Sequence, residues 1–286
     1  MQAIKKSFTR QLPFFLSVPT FIWQSLFLYM PLLIIFYFSI VDAQGFFTLS
    51  AYRALLDVPF FKILLRSFFL ALFTATSTLV LAYPVVYYLV FHLRNLSRYL
   101  LVLLMIPFWV NFLMLAYSWF FLLEHNGLIN RLLLWLGVIH SPLTLVYNVG
   151  AIVVVMVYCY LPFMIMPLYN SLEKLDQRLL EASADLGANA WQTFTRVTLP
   201  LSAPGIKTGF LLVFVPAFGE FAIPTLLGGS KFLVVGSLIS YYFFVARNNS
   251  LGAAFTVCAG LFLLLSVLLL QKGSSIYKFF TAEKKL

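Results

Sequence analysis

Residue types that do chemistry are few in this chain, and most of them stand apart from one another. His92, His125 and His140 fall in loops at spacings unlike those of metal ligands. Cys159 and Cys258 lie inside apolar runs, where a cysteine acts as a small hydrophobic residue. The sequence has no Gly-Lys-Ser/Thr phosphate-binding motif. We therefore predict no catalytic residues, no metal site and no cofactor bound by this chain.

Glu220 is an acidic residue within a long apolar stretch. The stretch predicts a helix, and Glu220 falls about 15 residues into it. An ionisable group at that depth costs a few kcal/mol unless it faces water or a partner. Two roles stay open for Glu220: attraction of a cation in a water-filled path, or a hydrogen bond to a neighbouring helix.

Aromatic side chains are abundant, with 15 Tyr, 32 Phe and 5 Trp. The face of an aromatic ring attracts an ammonium group by a cation–π interaction worth about 0.5–2 kcal/mol. The candidates for such a contact are Trp109, Tyr117, Tyr158 and Tyr160. Asn111 is a polar group that we expect to face protein or a cavity. Contact with lipid or packing in the core is the alternative for each ring.

The composition sets the environment in which these groups act. The 286 residues are 62% hydrophobic and 10% charged, whereas a soluble domain is about half apolar and about a quarter charged. So much apolar surface needs lipid as its solvent. The net charge of +10 does not indicate a nucleic-acid partner, because the basic residues lie in short segments between apolar runs.

Six apolar segments are long enough to cross a bilayer, which takes about 20 helical residues. They cover residues 18–40, 67–91, 99–123, 149–168, 205–227 and 251–270. We predict an all-α membrane protein with these six transmembrane helices in a domain of residues 18–271. Tails at 1–17 and 272–286 flank that domain.

The distribution of Lys and Arg predicts the orientation, because these residues are enriched in cytoplasmic loops. With the N-terminus in the cytoplasm, the cytoplasmic segments hold thirteen of the nineteen Lys and Arg residues. We therefore predict that both termini are cytoplasmic. The same orientation places a long loop, residues 169–204, in the cytoplasm.

The 169–204 loop carries four of the nine acidic residues and an apolar stripe with helical spacing. The stripe consists of Leu175, Leu179, Ala182 and Leu186. We expect Gly187 to end this helix, and Pro200 and Pro204 to mark the return of the chain to the membrane. The loop is either a hairpin on the bilayer surface or a docking element for a soluble partner.

The same loop resembles the "EAA" loop of ABC importer permeases. That pattern is Glu-Ala-Ala, three residues, Gly, nine residues, then Ile-x-Leu-Pro. Its matching positions here are Glu181, Ala182, Ser183, Gly187, Val197, Leu199 and Pro200. Ser183 and Val197 stand where the pattern has Ala and Ile. The resemblance implies the fold of type I (MetI-like) importer permeases, with these residues coupling the chain to an ATP-binding subunit.

Other runs resemble polyamine permeases of the spermidine/putrescine type. These runs include residues 106–111 (IPFWVN), 161–169 (LPFMIMPLY) and 218–224 (FGEFAIP). Leu115 and Thr225 depart from the pattern, which often has Arg at the first position and an acid at the second. Since Trp109 and Glu220 lie within these runs, we expect a substrate pathway lined by Trp109, Asn111, Tyr117, Tyr160 and Glu220.

The resemblance also implies a complex in the inner membrane of a bacterial cell. Its other members would be a second, related permease, two copies of an ATPase subunit that uses ATP and Mg, and an extracytoplasmic substrate-binding protein. Membrane lipid would surround the helices. A permease for another small solute stays an alternative. So does an ATP-independent channel or carrier, although neither of those would explain the 169–204 loop.

Overall fold

A computed structural model describes residues 18–42, 44–56, 58–229 and 232–283. Within those residues six helices are long and apolar enough to cross a membrane. The prediction of an all-α membrane protein with six spans is confirmed. The predicted tail at 1–17 lies outside the described residues, as do residues 284–286 of the other tail.

The helices follow one another along the chain with short connections. They are α1 (Val18–Ile40), α2 (Ser50–Ala54), α3 (Val58–Phe91), α4 (Ser97–Met105), α5 (Phe112–Leu123), α6 (Leu128–Trp135), α7 (Val149–Leu172), α8 (Gln177–Asp185), α9 (Ala190–Gly219), α10 (Ala222–Gly228), α11 (Val235–Val245) and α12 (Asn249–Glu283). The six spanning segments are α1, α3, the stretch Phe112–Trp135 that holds α5 and α6, α7, α9 and α12.

One compact unit comprises the chain up to Phe60 together with Ile239–Leu264. Tyr52 of α2 donates a hydrogen bond to Ser39 Oγ at 2.8 Å, which ties α2 to the end of α1. The ring of Phe60 lies 5.8 Å from the ring of Phe255 in α12. No residue in the most apolar 18-residue stretch of α1 is buried, as expected of a helix that is hydrophobic on all sides and solvated by lipid.

The second unit comprises Phe61–Leu238 and Leu265–Leu286, and its core is the contact between α7 and α9. Gly205 and Gly209 lie one helical turn apart on α9, and each faces α7. A Cβ at Gly205 would collide with the Ser171 side chain and lie 2.7 Å from Pro167 O. In lipid, small residues on one face let two helices approach closely enough for van der Waals packing.

The predicted third span, residues 99–123, is wrong as one continuous helix. α4 ends at Met105, a 3₁₀ turn follows at Ile106–Trp109, and α5 starts at Phe112. Pro107 lies in that turn, where it has no N–H to donate to a helical ladder. Asn111 then starts the new helix, because its side chain accepts a hydrogen bond from Leu113 N at 2.9 Å.

The predicted fifth span, residues 205–227, is wrong at both ends. α9 begins at Ala190, runs through Pro200 and Pro204, and ends at Gly219. These prolines therefore do not mark a break. A proline inside a helix clashes with the carbonyl four positions earlier. A π-helical turn at Phe194–Thr198 precedes Pro200, and the altered hydrogen bonding of this turn accommodates the proline.

The contact at Gly205 makes a testable prediction for stability. In Gly205→Ala the new methyl group meets the backbone of α7, and we expect a loss of about 1–3 kcal/mol from overpacking. Gly260→Ala in α12 is the matched control, because nothing lies within 4 Å of a Cβ there. Unfolding in detergent measures both variants. Equal stability of the two would contradict close packing at Gly205.

Candidate functional site

Glu220 lies at the break between α9 and α10, in an extended backbone conformation. The prediction that it lies within a helix is therefore wrong. Its Oε1 accepts hydrogen bonds from Phe221 N at 3.0 Å and Ala222 N at 2.8 Å, and so caps the start of α10. Its Oε2 accepts a hydrogen bond from Tyr160 Oη at 2.7 Å. These three hydrogen bonds orient the carboxylate. Glu220 is also partly exposed, so it is not sealed inside the protein.

Tyr160 is buried in α7, and its ring lies near two other aromatic side chains. The ring centroids of Tyr160 and Phe112 are 6.1 Å apart, and those of Tyr160 and Phe163 are 6.0 Å apart. Of the two roles that the sequence left open for Glu220, the hydrogen bond to a neighbouring helix is present. Tyr160 positions the carboxylate and does not itself form an exposed surface.

A cavity of about 1060 Å³ lies between α4, the 3₁₀ turn, α5, α7 and α9. Neither Tyr160 nor Glu220 lines it, but Phe112 and Phe163, whose rings lie near that of Tyr160, do. Its aromatic lining comes from Phe108, Trp109, Phe112 and Phe163. Polar groups are sparse, and Lys174 is the one charged residue among the described residues that line it. Such a cavity offers apolar walls to an alkyl chain and ring faces to a cation.

The other candidates from the sequence have separate places. Trp109 lines the cavity, but Asn111 and Tyr117 are not among its lining residues. Leu115, one of the two departures from the polyamine pattern, does line it. Thr225 is the second departure, and its Oγ1 lies 3.2 Å from Ser237 Oγ.

Sequence reasoning missed Phe108, Phe112, Phe163 and Lys174 as lining residues. The helix break at Pro107 brings the first two to the cavity. A Pro next to an aromatic residue inside an apolar run was the available signal, and it recurs at Pro162-Phe163. Nothing in the periodicity of the loop marked Lys174, because it lies between two helices.

The 169–204 loop forms a short helical hairpin built from α8 and the start of α9. Asp176 caps α8 by accepting from Arg178 N at 3.0 Å. Gly187 has a φ of +82° and ends the turn after α8, as the sequence predicts. Asn189 begins α9 with a reciprocal capping box to Gln192.

Two sets of contacts hold this hairpin in place. Ser183 Oγ lies 2.8 Å from Thr193 Oγ1, which joins its two arms. Phe194 packs edge-on against Tyr83 and Tyr87 of α3, with centroids 5.5 and 6.1 Å away. The last residues of the motif, Val197, Leu199 and Pro200, all lie within α9.

The outer face of the hairpin has no partner within the described part of the chain. Leu179 is 47% exposed and Leu186 is 89% exposed, while Glu181 and Ala182 are also exposed. Trp191 adds a ring that is 71% exposed. An apolar stripe on a rigid support is typical of a helix that fits into a groove of another protein.

Comparison with known proteins agrees with this geometry. Residues 88–273 match the model of a protein family described as the binding-protein-dependent transport system inner membrane component. The chain belongs to this family. It is 42% identical over 268 residues to the spermidine/putrescine transport system permease protein PotB of Salmonella typhimurium (strain SL1344), which covers 89% of this chain and 93% of PotB.

Further matches support the same assignment. PotB of Escherichia coli (strain K12) is 42% identical over 252 residues, or 85% of this chain and 92% of that protein. A bacterial ABC transporter involved in the import of the acidic polysaccharide alginate superposes with a TM-score of 0.73 at 18% identity, covering 96% of this chain and 98% of that one. That similarity shows the permease fold.

Family membership settles the class of the protein. It is a multi-pass membrane permease of an ABC importer, and it is a transport subunit rather than an enzyme. This class excludes an ATP-independent channel or carrier, because ABC importers are driven by ATP.

The bonds at Glu220 predict different stabilities for two substitutions. Glu220→Ala leaves Ala222 N and the buried Tyr160 hydroxyl without their acceptor, and we expect a loss of about 1–3 kcal/mol. Glu220→Gln keeps an oxygen that accepts from Phe221 N and Ala222 N, so its free energy of unfolding should fall by less. Unfolding in detergent compares the two, and wild-type stability of Glu220→Ala would contradict the capping role.

Proposed function

We propose that this ABC importer permease carries polyamines such as spermidine and putrescine. The observation that carries the proposal is the 42% identity to PotB over 89% of the chain. The geometry supports it, because an oriented carboxylate is bonded to Tyr160, whose ring lies near two rings that line an aromatic cavity. A polyamine has ammonium groups for Glu220 and the ring faces, and an alkyl chain for the apolar walls.

We further propose that the pathway runs past Glu220 and into the cavity lined by Trp109. Glu220 would attract the cationic substrate, since attraction between charges is strong where apolar walls exclude water. Tyr160 would hold the Glu220 carboxylate in its orientation through their hydrogen bond. Asn111, at the start of α5, and Tyr117, within α5, would contact the substrate outside the cavity lining.

The hairpin would dock into an ATPase subunit through its exposed stripe. Glu181, Ala182, Ser183 and Gly187 would form that contact, supported by Val197, Leu199 and Pro200 behind them. α9 runs from the hairpin to Gly219, so a displacement of the hairpin moves the support of Glu220. ATP and Mg would bind the ATPase, and their preference for one conformation would shift the permease between its states.

The proposed complex has two ATPase copies, a second and related permease, and an extracytoplasmic substrate-binding protein. A solved alginate ABC transporter similar to this chain, with a TM-score of 0.73, was determined in complex with a periplasmic protein, which supports the last of these. We propose that both tails, residues 1–17 and 272–286, and the 169–204 loop face the cytoplasm of a bacterial cell. The excess of Lys and Arg in those segments supports this orientation.

One observation favours a second candidate, an importer of an anionic solute. Lys174 is the charged residue of the described cavity lining, and a cation there would attract an anion. The uptake experiments below separate the candidates, because only a cationic substrate needs the charge of Glu220.

Uptake by a Glu220→Gln variant tests the polyamine pathway. Loss of the negative charge should lower ATP-dependent uptake of radiolabelled spermidine by about tenfold or more, while the hydrogen bonds to α10 persist. Glu173→Gln is the matched control, because Glu173 also accepts a bond from a tyrosine, Tyr169, but follows the end of α7, thirteen residues beyond Tyr160. Wild-type uptake by Glu220→Gln would contradict the pathway.

A Gly187→Asp variant tests the coupling hairpin. An aspartate there must adopt a φ near +82° and adds a charge to the docking face, so we expect uptake to be lost while the permease stays folded. Gly137→Asp is the control, since Gly137 has a φ of +69° and open space around it in a different loop. Equal uptake by both variants would show that the hairpin does not couple to the ATPase.

A further inference from the structure

An apolar groove with a lysine in its lining runs along α9. It has a volume of about 780 Å³ and adjoins the large cavity, with which it shares three lining residues. Its polar lining residues are Lys207 and Thr208 of α9 and Gln271 of α12. The other lining residues are apolar: Phe163, Leu211, Leu212, Val215 and Pro216. Such a groove suits a ligand with an anionic end and a long apolar body.

Lys207 has no acidic partner on the helices that form this groove. α7 and α9 contain no Asp or Glu, and Glu220 follows thirteen residues after Lys207, or about 20 Å along the axis of α9. The acidic residue of α12 is Glu283, twelve residues beyond Gln271. Glu173 lines a different depression, beside the loop between α3 and α4. Lys207 is half-buried, and these helices do not neutralise its charge.

The place of Lys207 along the chain indicates which anion it meets. It lies in a segment that crosses the membrane, where a charge is costly unless it reaches the interface or an opposite charge. In the proposed orientation α9 leaves the cytoplasmic side and α12 returns to it, so Lys207 and Gln271 both lie toward that side. Both side chains donate hydrogen bonds, and the phosphate group of a lipid accepts them.

The length of the groove fits one leaflet of the bilayer. Its α9 residues run from Lys207 to Pro216, and these nine residues rise about 14 Å. The hydrocarbon core is about 30 Å thick, so one leaflet contributes about 15 Å. A lipid with its phosphate at Lys207 can therefore lay an acyl chain along the whole groove. Basic pockets between transmembrane helices on the cytoplasmic side are typical sites for anionic lipid headgroups.

We propose that this groove binds an anionic phospholipid of the cytoplasmic leaflet. Lys207 and Gln271 bind its phosphate, and the apolar walls hold one acyl chain. The choice of leaflet rests on the proposed orientation, whereas the lipid site is independent of the transported substrate. Because α9 joins the hairpin to Glu220, the bound lipid lies against the helix that coupling must move.

Retention of labelled lipid tests the site. The assembled transporter is reconstituted in phosphatidylethanolamine with a small fraction of labelled phosphatidylglycerol, and the label that stays on the purified complex is measured. Lys207→Gln should lower the retained phosphatidylglycerol by about fivefold, while Lys207→Arg should stay near wild type. Val215→Trp fills the exposed apolar wall without changing the charge, and it should also lower retention.

Lys272→Gln is the matched control. Lys272 follows Gln271 on α12 and is exposed, but it does not line the groove. The same loss of one positive charge there should leave retention close to wild type. Co-purification of the partner permease is measured for every variant.

Four outcomes would overturn the lipid site. Equal losses in Lys207→Gln and Lys272→Gln would show diffuse attraction to a basic surface. Wild-type retention by Val215→Trp would show that no acyl chain occupies the groove, and a wild-type complex without preference for phosphatidylglycerol would show that no anionic lipid binds. Loss of the partner permease from Lys207→Gln, with lipid retention unchanged, would assign the groove to that permease. None of these measurements uses polyamine uptake, so failure of the proposed substrate would leave the lipid result intact.

Discussion

The close approach of α7 and α9 at Gly205 is the contact on which both candidate sites depend. Because glycine has no side chain, the backbone of α9 passes directly over Ser171 and Pro167 of α7. Helix association in lipid gains little from the hydrophobic effect, so packing at this distance must supply the attraction. The same approach brings α7, which carries Tyr160, beside the helix that ends at Glu220.

α9 also joins the two sites mechanically. Its first turns form one arm of the hairpin, its middle packs on α7, and its last residue precedes Glu220. A force on the exposed stripe of the hairpin is therefore applied to the helix that supports the carboxylate. The π-helical turn at Phe194–Thr198 is the one irregular point between them, and Phe194 packs there against α3.

Apolar length predicted the six spans, and a fixed-spacing motif predicted the hairpin and the turn at Gly187. Helix ends were harder, because local chemistry decides them. Pro107 and Asn111 split the third span, whereas Pro200 and Pro204 leave α9 intact, and residue type alone does not separate these cases. Tyr160 and Glu220 were both candidates, but their bond joins residues 60 positions apart, which no periodicity reveals. Gly205 and Gly209 form a G-x-x-x-G pattern, which is typical of close helix packing in membranes.

The most direct test of the account is ATP-dependent uptake of radiolabelled spermidine and putrescine by wild-type protein. The chain is purified with its ATPase and partner permease, reconstituted in proteoliposomes and supplied with the binding protein. The account predicts accumulation of both polyamines that stops when ATP is withheld, with no uptake of an anionic solute such as alginate. ATP hydrolysis without polyamine uptake would contradict the proposal that polyamines are the substrate, and the protein would then be an importer of another solute.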